Sequence, residues 1–311
     1  MKVSFFKTAF VCLIAAGVLL TFVFVRKTSE SSGLSEVAIP DSPDAAVQTV
    51  LSEFAKGDSS IVWRALPKSY QSDVNELVHL LGSSADEEVY DKSFSLIGDL
   101  AEIIDKQQSF IVNSSLVQDR SPDNLAQLEA VLPSIAGLIN TIASSELSTI
   151  EGLKQFDGKV FFKTTVSRCV DYLKVIGQLT GEETKLADYA SIVVSVVETD
   201  GNQVTLSIAV PGQEKREEVF IKVEERWVPV ELENDWDETI GKMASSIQSL
   251  SAKDSEAQKK QIMGALAMFE GIMNQIVSAK TQEQFDQSLK ESAMSLMGIF
   301  MMLSQAVGSS N

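Results

Sequence analysis

The chain has 311 residues, 44% of them hydrophobic and 22% charged, and its 43 acidic against 26 basic side chains leave a formal charge of −17. So acidic a surface repels nucleic-acid phosphate and anionic lipid headgroups, which excludes a nucleic-acid partner. Two cysteines exclude a disulfide-stapled scaffold.

The acidity is not evenly spread. Met1–Lys27 holds no acidic residue and contains an unbroken apolar-or-small run from Thr8 to Val25, with Lys2 and Lys7 before it and Arg26 and Lys27 after it. As a helix this run reaches roughly 27 Å, enough for a thin hydrocarbon core. Its end, Thr21-Phe22-Val23-Phe24-Val25 before Arg26-Lys27, is bulky and then basic, and Ala15-Ala16 lies too early. That is poor context for cleavage, so an uncleaved anchor is expected over a cleaved secretion signal, which is the alternative. Cys12 begins the apolar core rather than ending it and reads as a plain apolar residue, not a lipid carrier. The short basic end is expected inside the cell, which places residues 28–311 on the extracytoplasmic side of the cell membrane, in the periplasm, with a single membrane pass.

Residues 28–41 are Ser- and Glu-rich and read as a flexible linker. A helical subdomain is expected over 42–185. Ser42-Pro43-Asp44 carries an N-cap, a first-turn proline and an acid at the positive end of the dipole. Val47, Val50, Leu51 and Phe54 then make one face, and Gly57 is a stop. A short helix is expected at Ile61–Leu66 before Pro67. The spacing of Tyr70, Val74, Leu77, Val78 and Leu81 predicts another, continued in kind from Val89 to Ile111. Ser121-Pro122-Asp123 repeats the helix start, and Leu125, Leu128, Leu132, Ile135, Ile139 and Ile142 follow, with Pro133 expected as a kink. Shorter helices are expected over Glu146–Phe156 and Lys159–Leu179.

The period changes over 186–234. Ile192, Val194 and Val196 alternate with their neighbours, Thr199-Asp200-Gly201-Asn202 signals a hairpin centred on Asp-Gly, and Val204, Leu206, Ile208 and Val210 alternate again. Val219, Ile221 and Val223 make a third strand, and Trp227–Leu232 a fourth. Helices return at Asp235 and fill 235–311, a Met-rich region that holds every methionine except Met1. The fold class is therefore α+β, mostly helical, with a small antiparallel meander of three to four strands packed on helices.

No motif supplies a catalytic set, a cofactor or a metal. His79 is the one histidine and has no partner pattern for a triad or a zinc site. Cys169, among Val166, Val170 and Leu173, reads as a buried thiol without a base. The acidic cluster Glu231, Glu233, Asp235, Asp237 and Glu238 lacks the glycine of a calcium loop. It reads better as the acidic first turn of a helix capped by Asn234 or Asp235. Trp63, Tyr70, Trp227 and Trp236 read as core anchors. The odd feature is the Met-rich stretch. Met263, Phe269, Met273, Met297, Phe300 and Met301 could line an adaptable surface for an apolar ligand or partner, since thioethers repack easily. Gly264 and Gly271 on one face would admit a close helix. A buried central helix is the competing reading.

Two stretches resemble a known family. Ser42-Pro43-Asp44-Ala45-Ala46-Val47 through Gly57-Asp58 resembles the opening helix of SnoaL-like (cystatin-like) α+β domains, and Glu225-Arg226-Trp227-Val228-Pro229-Val230 resembles their closing strand. The long helical stretch between them and the helices after 235 depart from that fold. Trp63-Arg64-Ala65-Leu66-Pro67-Lys68-Ser69-Tyr70-Gln71 is similar to a pattern in signal-anchored bacterial envelope proteins. That resemblance implies an envelope location and carries no functional residues over. The function expected is a non-enzymatic, membrane-anchored extracytoplasmic module that binds a protein partner or an apolar ligand. The alternative is a carboxylate-based hydrolase of envelope material.

Overall fold

The computed structural model describes residues 36–292 except 116, 118, 119, 181–190, 213, 254 and 255. The expected anchor at 1–27, residues 28–35 of the expected linker at 28–41, and the Met-rich end after 292 lie outside the described residues. The fold is α+β and mostly helical, with one four-stranded antiparallel sheet ordered β1-β2-β3-β4. The strands are β1 Val193–Asp200, β2 Gln203–Ala209, β3 Arg216–Val223 and β4 Arg226–Pro229. The chain divides into two compact units, each discontinuous in sequence: residues up to Leu80 with Phe156–Ser245, and Leu81–Gln155 with the residues from Ser246 on.

In the first unit, helix Pro43–Lys56 starts and stops where expected, with Ser42 in the N-cap position and Gly57 in the left-handed region at φ 111°. The Ser42 side chain makes no capping bond. Val47 from this helix joins Ile192, Val194, Val204, Leu206, Ile208 and Phe220 in a core under one face of the sheet. Burying such side chains contributes about 1.5–3 kcal/mol each before entropy is counted. Alternation made this face legible: β2 buries Val204, Leu206 and Ile208 and leaves the residues between them half-buried.

Turns set the register. Asp200 pairs with Gln203, so the two-residue loop is Gly201-Asn202 rather than Asp200-Gly201, with Gly201 at φ 60°. The β3–β4 turn is Glu224-Glu225, at φ 45° and 64°, an uncommon conformation for side chains of this kind. Its compensation is electrostatic. The Glu224 carboxylate accepts from the Ser69 amide at 3.0 Å, at the start of helix Lys68–Ser84, where positive dipole and free N–H groups favour an anion.

The fourth strand ends early. Val230–Leu232 was expected to be strand, but helix Val230–Lys253 takes those residues, five positions ahead of the expected start at Asp235. Pro229 ends the ladder, and Glu231 and Glu233 fall in the helix's first turn. Tyr70 and Trp236, both 4% exposed, stack between this helix and Lys68–Ser84. Tyr70 donates its hydroxyl to Glu233, and Trp236 Nε1 donates to Asp73 Oδ2 at 2.7 Å.

The helix expected over Lys159–Leu179 is three segments in succession: Gly158–Phe161, a π-helical turn Phe162–Val166, and Ser167–Thr180. The buried Ser59 hydroxyl donates to the Phe162 carbonyl at 2.6 Å, inside that turn. Lys174 is almost fully buried on Ser167–Thr180. Its ammonium lies where a Cβ on Gly57 would meet it at 2.9 Å, so the cation sits at the negative end of helix Pro43–Lys56.

In the second unit, helix Glu87–Lys106 is capped by Asp86, whose carboxylate accepts from the Val89 amide at 3.1 Å. It runs parallel to helix Glu256–Val277. Lys259 pairs with Asp86 at 2.9 Å and Glu88 at 3.0 Å, and Lys92 pairs with Glu270 further along. At the far end the helix stops at Gln107 instead of continuing to Ile111. The buried Gln107 amide donates to the carbonyls of Val277 (2.6 Å), Ala279 (3.3 Å) and Ile276 (3.4 Å), at and just past the C-terminal end of the partner helix. Between the two helices lies a core of Leu96, Ile103, Met273, Ile276, Ala279 and Phe285. Helix Pro122–Ala143 starts at its expected cap, with Ser121 Oγ accepting from the Asn124 amide at 3.4 Å, and runs through Pro133. The helix expected over Glu146–Phe156 is a 3₁₀ turn, Glu146–Ser148, followed by Ile150–Lys154.

Candidate functional site

The Met-rich stripe on helix Glu256–Val277 faces inward for part of its length. Met273 is 4% exposed and belongs to the core of the second unit, and Phe269 is half-buried against the same core. Met263 is half-buried. Met268, next to Phe269 and on the other side, is 47% exposed. Met297, Phe300 and Met301 lie outside the described residues. Among the described residues nothing lies within 4 Å of a Cβ built on Gly264 or Gly271, so none of them makes the close helix approach these glycines would admit.

Exposed apolar side chains are found instead on Glu87–Lys106, beside a helix that sequence reading took only as a packing stripe and whose own leucines and isoleucines are mostly half-buried. Pro122–Ala143 is long and apolar enough to cross a membrane, yet only 22% of its most apolar stretch is buried. After Glu129 it carries no charge. It packs along Glu87–Lys106, where Ile97 and Leu100 are 36% and 42% exposed.

The polar candidates have structural partners. His79 Nε2 lies 2.9 Å from the Phe156 carbonyl, which can only accept, so that nitrogen carries the proton. Cys169 is buried, and burial pushes its thiol up to about 11, away from the thiolate a nucleophile needs. Trp63, Tyr70 and Trp236 are buried as expected. Trp227 is half-buried and donates Nε1 to the Asp41 carbonyl at 2.8 Å. Among the described residues no group of three or more His, Cys, Asp or Glu side chains is placed to hold a metal ion.

Among the described carboxyls one is raised rather than lowered. Burial holds Asp99, on Glu87–Lys106, above the usual carboxylate range, with Glu270 and Glu102 adding to the effect and Lys92 opposing it. This is the direction a general acid needs.

No protein-family model, curated protein or solved structure matches the chain.

Proposed function

We propose that this chain is a non-enzymatic module, held in the cell membrane by its N-terminal segment, with residues 28–311 on the extracytoplasmic side, where it binds a protein partner or an apolar ligand. The observation that supports this reading is the exposed pair Ile97 and Leu100 on Glu87–Lys106, beside helix Pro122–Ala143, whose leucine and isoleucine side chains are mostly half-buried rather than buried. Exposed apolar side chains grouped on one helix mark surfaces that are covered in use. The Met-rich residues Met263, Phe269 and Met273, with Met297, Phe300 and Met301, form the second part of the proposed surface, as adaptable packing material.

Native mass spectrometry of the full chain, extracted gently and left untreated, tests the reading. A co-purifying lipid-like mass or a retained partner is expected, and Leu100→Glu should lose it while folding normally. A bare chain under every extraction condition would remove the reading.

The alternative, a carboxylate hydrolase, has Asp99 behind it. Release of fragments from envelope polymer, abolished by Asp99→Asn, would replace the binding reading with that one.

A further inference from the structure

We infer that Gln48 is a gatekeeper of the sheet: its side-chain amide takes the place of a neighbouring strand on the edge of β1 and so keeps β1 from pairing with the β1 of a second copy of this chain. β1 is the end strand of the sheet. The segment leading through it, Ser191-Ile192-Val193-Val194-Ser195-Val196-Val197, has no charge and no proline and consists almost wholly of strong strand formers. Segments of that length and composition pair with their own copies when an edge leaves their backbone open. Val193, Val196 and Val197 are 61%, 45% and 51% exposed, so the side chains offer no shield.

Two features interrupt the edge. A bulge lies between Val196 and Glu198, which displaces the backbone groups beyond it. The other feature is Gln48. Its Nε2 donates to the Ile192 carbonyl, and its Oε1 accepts from the Val194 amide at 3.0 Å. One donor and one acceptor, directed at backbone groups two residues apart, reproduce what a residue of an adjoining strand supplies. Backbone groups alternate sides along a strand, so Ile192, Val194 and Val196 present theirs to the open edge. Gln48 occupies the first pair and the bulge follows Val196. Only the Val194 carbonyl and the Val196 amide are left between them, too short a run to set a register. Val47, adjacent in sequence, is buried in the core beneath β1, which holds the amide in place.

The test uses the full chain and two variants, Gln48→Ala and Gln48→Met. The second keeps the length and helix preference of the side chain, so that it decides the matter if the first does not fold. In the wild type the Val194 amide should be protected from hydrogen exchange and the mass should not depend on concentration. In a folded variant exchange at Val194, read at concentrations low enough for the chain to be monomeric, should speed up about tenfold, the worth of roughly one lost hydrogen bond, and the mass should rise at higher concentration. Adding Val196→Lys should restore the monomer mass and leave the fast exchange unchanged. A folded Gln48→Met chain with fast Val194 exchange and unchanged mass would overturn the inference, as would a wild-type chain already paired through β1.

Discussion

The Tyr70 and Trp236 rings lie face to face, their centroids 3.9 Å apart and their planes 8° from parallel. Each helix of the pair contributes one aromatic and one acid, three residues apart and in opposite order: Tyr70 and Asp73 on one, Glu233 and Trp236 on the other. The hydrogen bonds cross, Tyr70 to Glu233 and Trp236 to Asp73, so stacking and charge-assisted bonding depend on one relative placement of the helices. Tyr70→Phe keeps the stack and deprives Glu233 of its donor, for an expected loss of about 1–3 kcal/mol. Trp236→Ala removes the stack as well and should cost roughly 3–5 kcal/mol. Denaturant titration followed by circular dichroism measures both. Equal losses would mean that the stack contributes nothing.

Where the cause of an element is local, it was legible. Ser42-Pro43-Asp44 and Ser121-Pro122-Asp123 mark real helix starts, and the alternation of Val204, Leu206 and Ile208 marks the buried face of β2. Where the cause is distant, it was not. Gln107 looks like one more residue of a helix, and only the carbonyls of a helix end 170 positions away explain its burial. Gln48 likewise looks like a polar helix residue until β1 lies beside it. Val230–Leu232 has strand-like composition, but Pro229 and the acidic first turn settle it as helix. The helical spacing of Met263, Phe269 and Met273 is visible in sequence, but spacing does not say what a face meets. Met273 meets the core, while Met268 on the same helix is 47% exposed.

The tyrosines should titrate in a graded order. Burial pushes Tyr90 up to about 12, with Asp91 adding to it. Burial pushes Tyr70 further still, and the bond to Glu233 adds to that. Both folded values lie above the ordinary tyrosine value of 10.0. The stabilisation this represents is therefore fully present below pH 10 and is lost as pH rises through the folded values. An absorbance titration should show phenolate forming late, with Tyr90→Phe removing the step near 12 and Tyr70 ionising only as the chain unfolds. Early ionisation of Tyr70 in a folded chain would contradict the burial of its hydroxyl.

On the acid side the sign reverses. The bond from Lys259, then that from the Val89 amide, holds Asp86 below its ordinary value, and the Ser69 amide does the same for Glu224. Their stabilisation is complete above the ordinary carboxylate range and is lost as pH falls through the lowered folded values. Asp86→Ala also removes an N-cap and should cost about 1 kcal/mol at neutral pH. Stability measured against pH should then fall less steeply in acid than for the wild type. Glu224→Gln should flatten the same limb with little change in the Glu87–Lys106 helix. An acid limb identical to wild type in both variants would show that other carboxylates govern it.

Gly158 packs directly beneath Trp63. A methyl at that position would fall 2.1 Å from one indole carbon and 2.4 and 2.5 Å from two more. Neither side can yield easily. Trp63 is 3% exposed and lies 5.4 Å from the Phe162 ring, and the Gly158 amide is held by Asn75 Oδ1 at 2.9 Å. Gly158→Ala should therefore destabilise by about 1–3 kcal/mol through overpacking. Trp63→Leu in the same chain should recover part of that loss, because the two substitutions act on one contact. Gly264→Ala is the contrast. Its Cβ meets open space on a helix, and better helix preference should stabilise the chain by up to about 1 kcal/mol. Urea midpoints of the four chains decide the point. If Gly158→Ala were as stable as the wild type, the indole would not be confined against the helix start as described.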